Sequence, residues 1–274
     1  MENTKLNILP VPTFSSIGVN YVLRDVSEYE TESITVREGG SNEAVRFFED
    51  GQVPFHRTDV TVSAGGRLKL VQVFTAKQPT ASALNVTLGD RAAFELVQLY
   101  IGGSDTVSEI KTALSGTGAE FRAEIGCALS GRDNLDINLI ADHTGLRTTS
   151  EIHIGAVLRG QASKTFKGTI DFKKGASGAK GNEREDALLL DSRVRNRTVP
   201  VILCEEEDVE GNHGATVGRL DGGQVFYLAS RGLPEERIYE LAARAKLSRA
   251  IGRVSDREAV RRIYSALGWG DEDD

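Results

Sequence analysis

The stretches Ala119-Glu120-Phe121-Arg122-Ala123-Glu124-Ile125 and Leu135-Asp136-Ile137-Asn138-Leu139 alternate apolar and polar residues with a period of two, the pattern of strands with one buried face. Arg67-Leu68-Lys69-Leu70 does the same upstream, and short runs of this kind fill the chain from about Glu32 to Phe172. Glycines punctuate them at Gly103, Gly116 or Gly118, Gly131, Gly145, Gly160 and Gly175, at intervals of about 14 to 15 residues. That spacing predicts stacked coils. One coil cannot bury its inner face alone, so neighbours must stack on it to form a continuous core. A meander or sandwich would also give many short strands, but no Asn-Gly or Asp-Gly hairpin signal lies between Gly103 and Gly175, which favours the solenoid.

Outside this region the pattern changes. Leu6 to Asn20 carries Pro10, Pro12 and Gly18 among scattered apolar residues and reads as an irregular segment lying on something larger. After Leu233 the period becomes helical: Pro234, Glu235 and Glu236 suit a helix start, and Ile238, Leu241, Ala242 and Ala245 share a face. A second helix is expected from Ser255, read as a capping box with Glu258, with Val260, Ile263, Tyr264 and Leu267 on one stripe. The expected organisation is an irregular N-terminal segment (1–30), a β-helix core domain (31–230), a small C-terminal helical domain (231–270) with helices at 234–249 and 255–268, and an acidic tail (271–274).

Thirty-three basic residues against 40 acidic ones give a formal charge of -7 with no Lys/Arg block, so nucleic acid is a poor partner. Cys127 and Cys204 are the two cysteines, far apart and in no CxxC motif, so neither a disulfide framework nor a structural zinc site can be read from them, and a reducing cytosol fits best. No basic leader with an apolar run and no long apolar span occurs, so the expectation is a cytoplasmic chain, neither exported nor membrane-spanning.

Nucleophile elbow, P-loop, dinucleotide fingerprint and paired-histidine metal motifs are all missing from the sequence. His153 sits in an alternating strand and reads as structural, His143 as a turn residue, and His56 carries little signal. Cys127 lies among apolar neighbours as a buried thiol would, and Cys204 precedes four acidic residues; neither reads as an activated nucleophile. The acidic run Glu205 to Asp208 suits a hard cation but reads better as a solvated turn. His213 differs in its setting, Asn212-His213-Gly214-Ala215-Thr216-Val217-Gly218, where small residues permit close approach by a ligand or backbone.

That same stretch, with Asp221 and Gln224-Val225-Phe226-Tyr227-Leu228-Ala229-Ser230-Arg231-Gly232-Leu233, resembles the carboxy-terminal signature of the SufB and SufD proteins of iron–sulfur cluster assembly. Phe166-Lys167-Gly168, Ala187 to Ser192 and Arg197-Thr198-Val199-Pro200 follow the family's order and spacing, and Ile8 to Phe14 with Val19-Asn20 resemble the entry segment of short SufD-like forms. The resemblance implies a mainly β chain, a right-handed parallel β-helix flanked by helices. It also implies a non-enzymatic scaffold that pairs through the end of the β-helix with a SufB-like subunit or as a homodimer. The C-terminal helices would dock the ABC-type ATPase SufC, and an iron–sulfur cluster would be held transiently and shared with the partner subunit. His213 matches the SufD histidine implicated as an iron or cluster ligand, and neutral imidazole is a good iron ligand. Glu185 stands where SufB places a cysteine, Gly214 where SufB has a glutamate, and Gly211 where SufD often has cysteine. The resemblance therefore implies a short SufD-like subunit lending His213, with Glu185 as a second candidate.

Two other readings compete. A β-helix carbohydrate-active enzyme would need paired carboxylates, for which Asp133 and Asp136 are candidates, and aromatic platforms, whereas Trp269 is the lone tryptophan. A purely structural SufD paralogue would hold the ATPase without touching the cluster.

Overall fold

The computed structural model describes residues 3–12, 18–102 and 105–270; the acidic tail 271–274, Gly103 and the Thr13-Phe14 pair lie outside the described residues. Fourteen of the strands form two seven-stranded parallel sheets that face each other. One comprises β3 (Tyr29–Val36), β5 (Phe55–Val62), β7 (Thr80–Leu88), β9 (Asp105–Leu114), β11 (Asn134–His143), β13 (Ser163–Phe172) and β15 (Arg195–Cys204). The other comprises β4 (Ser41–Phe48), β6 (Arg67–Phe74), β8 (Ala93–Ile101), β10 (Glu120–Leu129), β12 (Thr149–Leu158), β14 (Ala179–Leu189) and β16 (Val209–Arg219). The chain alternates between the sheets, so each turn of the solenoid is two strands. Ser41 pairs with Arg67, 26 residues on, and Thr149 with Lys180, 31 residues on. The glycine interval of the sequence is therefore half a coil, one strand and one turn.

Parallel pairing in register stacks the inward residue of each strand on the inward residue of the next. Phe121, Ala123, Ile125, Cys127 and Leu129 of β10 lie on Ser150, Ile152, Ile154, Ala156 and Leu158 of β12, and nearly all are buried apolar residues. Phe48, Phe74 and Tyr100 form an aromatic stack with centroids 4.4 and 4.6 Å apart. At the corners the backbones of successive coils touch. A Cβ on Gly116 would fall 2.0 Å from the carbonyl carbon of Gly89, closer than any side chain permits.

His143 is not a turn residue. It ends β11 facing inward, fully buried, with Nδ1 2.7 Å from Thr148 Oγ1 and Nε2 2.8 Å from Ser150 Oγ. Burial lowers its pKa from 6.5 to about 4. The unfolded chain thus takes up this proton near pH 6.5 while the folded chain resists it, so stability falls as pH drops through the window from 6.5 to about 4. The full swing is about 3 kcal/mol. His143→Gln is expected to flatten the stability slope between about pH 7 and pH 4.5 in urea titrations; equal slopes in variant and wild type would exclude a neutral buried imidazole.

The N-terminal segment is more regular than its sequence indicates. β1 (Asn3–Leu6) and β2 (Val22–Asp25) form an antiparallel ribbon. Leu6 packs with Ala81 and Val107, and Leu9 and Val19 with Val199, on the outer face of the first sheet. This segment roofs Lys167, whose Nζ is 0 % exposed, 2.8 Å from Asp136 Oδ1 and 3.2 Å from the Asn7 carbonyl. The backbone bonds of four-residue strands are too few to show as a pattern in sequence; packing on the solenoid holds them.

Strand structure ends at Arg219, and α1 (Gly222–Ser230) falls within the stretch expected to be β-helix. α2 (Glu235–Ile251) and α3 (Arg257–Leu267) follow. Pro234 is the residue before α2 rather than its first. α2 buries Ile238, Leu247, Ala250 and Ile251, leaving Leu241 and Ala245 exposed. The reason is its seat on the second sheet: Gly155 lets the Lys246 carbonyl approach to where a Cβ would meet it at 2.5 Å, and Arg249 bonds Glu124 at 2.8 Å. α3 is capped by Asp256, whose Oδ1 accepts from the backbone N–H groups of Glu258 and Ala259. Ser255 instead accepts from Lys69 Nζ at 2.7 Å. Among the described residues no helix is long and apolar enough to cross a membrane.

Candidate functional site

The last coil of the solenoid places His213. Register aligns Glu183 of β14 with His213 of β16, Glu185 with Ala215 and Ala187 with Val217, so His213 occupies an inward position. Across from it β15 presents Asn196, Thr198, Pro200, Ile202 and Cys204 by the same parity. β15 and β16 are the outermost strands of their sheets, and no further coil stacks on them among the described residues. Positions that are core elsewhere therefore meet solvent here: Ile202 is 43 % and Val217 54 % exposed. Phe226 and Tyr227 of α1 are also exposed.

One coil beneath lies a buried polar cluster. Lys164 Nζ is 2.7 Å from Glu185 Oε1, with both side chains 0 % exposed. Asn196 Nδ2 donates to the same oxygen at 3.0 Å and Thr198 Oγ1 to Oε2 at 2.5 Å. Burial alone would raise the Glu185 pKa, but the Lys164 charge and these hydrogen bonds outweigh it and hold it below the usual value. Glu183 has the opposite balance. Its side chain is 2 % exposed, and burial together with the Glu185 charge pushes it up to about 8 against the pull of Lys164. Its Oε1 lies 3.0 Å from His213 Nδ1. The two sequence candidates thus sit differently: His213 is at the open end with its imidazole 23 % exposed, and Glu185 is enclosed with both oxygens engaged.

A family model described as "SUF system FeS cluster assembly, SufBD core domain" matches residues 24–246. The chain belongs to the SufBD family. It is 34% identical over 130 residues to an iron–sulfur cluster assembly SufBD family protein of Mycobacterium tuberculosis, covering 47% of this chain and 15% of that protein. It is 30% identical to SufD of Bacillus subtilis over 130 residues, 44% of this chain and 30% of that one. Against SufB of Bacillus subtilis it is 29% identical over 129 residues, 47% and 28% of the two chains. The matches span less than a third of the length of these relatives.

The remaining polar residues of this SufBD chain are occupied in ways that bear on its chemistry. Cys127 is fully buried in the interior, where burial pushes its thiol up to about 12, so it is no thiolate. Cys204 is exposed at the last coil and donates to the Glu206 carbonyl at 3.0 Å. His153 lies on the outer face between Glu124 Oε2 at 3.2 Å and Asp186 Oδ2 at 3.3 Å, consistent with its structural reading. His56 is buried edge-on to Phe48. In the acidic turn, Glu206 accepts from the Gly175 N–H and Asp208 from Ser177. Asp133 bonds the Ser130 N–H and Asp136 is tied to Lys167 and Asn7, so they do not form the free carboxylate pair that a glycosidase needs. Among the described residues no group of three or more His, Cys, Asp or Glu could hold a metal ion.

Glu183 is the site residue that sequence reading missed. Its signal is the coil length: Glu183 lies 30 residues before His213, one full turn beneath it. Half-coil glycine spacing hid that relation.

Proposed function

We propose that this chain is a scaffold subunit of the SUF machinery, acting in the cytoplasm. It pairs through the open end of its solenoid with a SufB-like subunit or a second copy, and docks a SufC-like ABC ATPase through its C-terminal helices. An iron–sulfur cluster is the cargo, built and released at the interface between subunits, and His213 lends one ligand to it. The observation that carries this reading is the uncapped last coil. Among the described residues nothing pairs with the outer edges of β15 and β16, which lie beside apolar residues at core positions, an arrangement that other proteins cover or blunt. An imidazole at that edge, where the described residues hold no group of three or more metal-ligating side chains, suits a site whose other ligands come from a second chain. Glu185, saturated by Lys164, Asn196 and Thr198, supports the reading as part of the floor under the site rather than as a ligand.

For the ATPase, α2 and α3 divide their apolar residues. Ile263 is core, and Tyr264 packs near Trp269. Tyr239 lies under the Arg159 guanidinium, while Leu241 is 44 % exposed and available to a partner.

The pairing is tested by Val217→Glu together with Ile202→Glu, in co-purification and sedimentation with a SufB-like subunit and without it. An unpaired carboxylate at a closed interface is expected to weaken association roughly 100-fold or more. Association at wild-type strength would place the interface elsewhere.

A further inference from the structure

An imidazole can offer a metal only the nitrogen that its other contacts leave free, and the structure commits one of the two in His213. Nδ1 is 3.0 Å from Glu183 Oε1, and no hydrogen bond among the described residues reaches Nε2. The anchor is rigid for a reason set in the facing sheet. Gly168 of β13 points inward opposite Glu183, and a Cβ there would fall 1.8 Å from Glu183 Oε2. The carboxyl fills the space that any other residue at 168 would take. Glu183 is too enclosed, at 2 % exposed, to meet an external ligand itself, yet it contacts His213, which can.

We infer that Glu183 is a positioning residue: it anchors Nδ1 of His213 so that Nε2 is the nitrogen presented at the open end to a divalent cation such as Fe2+. Carboxylates that hold a metal-binding histidine by its other nitrogen fix the ring's tautomer and orientation and raise its basicity. The inference deepens the reading given under Proposed function and rests on His213 being a ligand, but the anchoring itself can be judged without metal.

Two measurements test it. At pH 9, well above the ordinary imidazole range, a neutral imidazole carries a single N–H proton. Long-range 1H–15N NMR, with the His213 signals assigned through His213→Ala, shows which ring nitrogen holds it. Anchored, the proton sits on Nδ1 with the carboxylate accepting; an unanchored imidazole favours the Nε2–H form. Wild type is expected to show Nδ1–H, Glu183→Ala the Nε2–H form, and Glu183→Gln the wild-type form through its amide oxygen. A wild-type Nε2–H tautomer, or an unchanged one in Glu183→Ala, overturns the anchoring.

The second is a titration of the complex with a SufB-like subunit, using Co2+ alone as the probe and followed by its visible absorption. Glu183→Ala should weaken binding about 10- to 100-fold, Glu183→Gln less, and His213→Ala should abolish it. If His213→Ala binds Co2+ as wild type does, the ligand role under Proposed function fails, and the tautomer result alone decides for or against the anchoring. If His213→Ala abolishes binding and Glu183→Ala does not weaken it, the positioning role is overturned while the ligand role survives.

Discussion

Lys164→Met is expected to lower the free energy of unfolding by about 3–5 kcal/mol, the cost of breaking a buried ion pair from one side. Lys164 and Glu185 are both 0 % exposed, so the orphaned carboxylate cannot turn to water. It keeps hydrogen bonds from Asn196 and Thr198, but loses the charge that offsets its own burial and stays close to Glu183. The lost stability is a large share of the roughly 5–15 kcal/mol that holds a typical domain. Combining Lys164→Met with Glu185→Gln should recover most of it, because the amide can still bond Asn196 and Thr198 and no charge remains to be paired. Urea unfolding of the two variants against wild type checks this. A Lys164→Met protein as stable as wild type would mean that Glu185 takes up a proton at little cost and that the pair is not the electrostatic floor of the last coil.

The parts of this fold that repeat were legible in the sequence, and the parts held by distant contacts were not. Period-two alternation in β10 and β11 follows from one buried and one solvated face, a local consequence of the pleat, and it was readable residue by residue. The glycine spacing was real, but two strands build each coil, and nothing in the spacing says whether one strand or two complete a turn. His143 looked like a turn residue because it ends an apolar run; only the register with neighbouring coils shows that it faces Thr148 and Ser150 indoors. In α2 the apolar residues at 238, 241, 242 and 245 suggested a buried face, yet the helix rests on Gly126 and Gly155 of the second sheet and turns Leu241 outward. Ser255 reads as a cap in isolation, but Lys69, 186 residues away, claims it and Asp256 caps instead. At the site, His213 was found by resemblance and placed by the structure at an open end. Its contact with Glu183 depends on the full coil length, which half-coil spacing did not supply.

The second large effect concerns function. His213 is the one histidine among the four that stands at the uncapped coil, and no cysteine of this chain offers a buried thiolate to replace it: Cys127 is a protonated interior thiol. A cluster at this end must therefore draw its thiolates from a partner subunit or from Cys204, and removing the imidazole takes away the ligand that this chain is proposed to lend. The decisive measurement is anaerobic reconstitution with iron and sulfide, read by visible absorption. It compares the chain alone, its complex with a SufB-like subunit and a SufC-like ATPase, and both with His213→Ala. The account predicts that only the complex holds a cluster and that His213→Ala lowers its occupancy severalfold without dissociating the subunits. A complex that holds its cluster equally well with His213→Ala would contradict the account and leave a structural paralogue that supports the ATPase without touching iron.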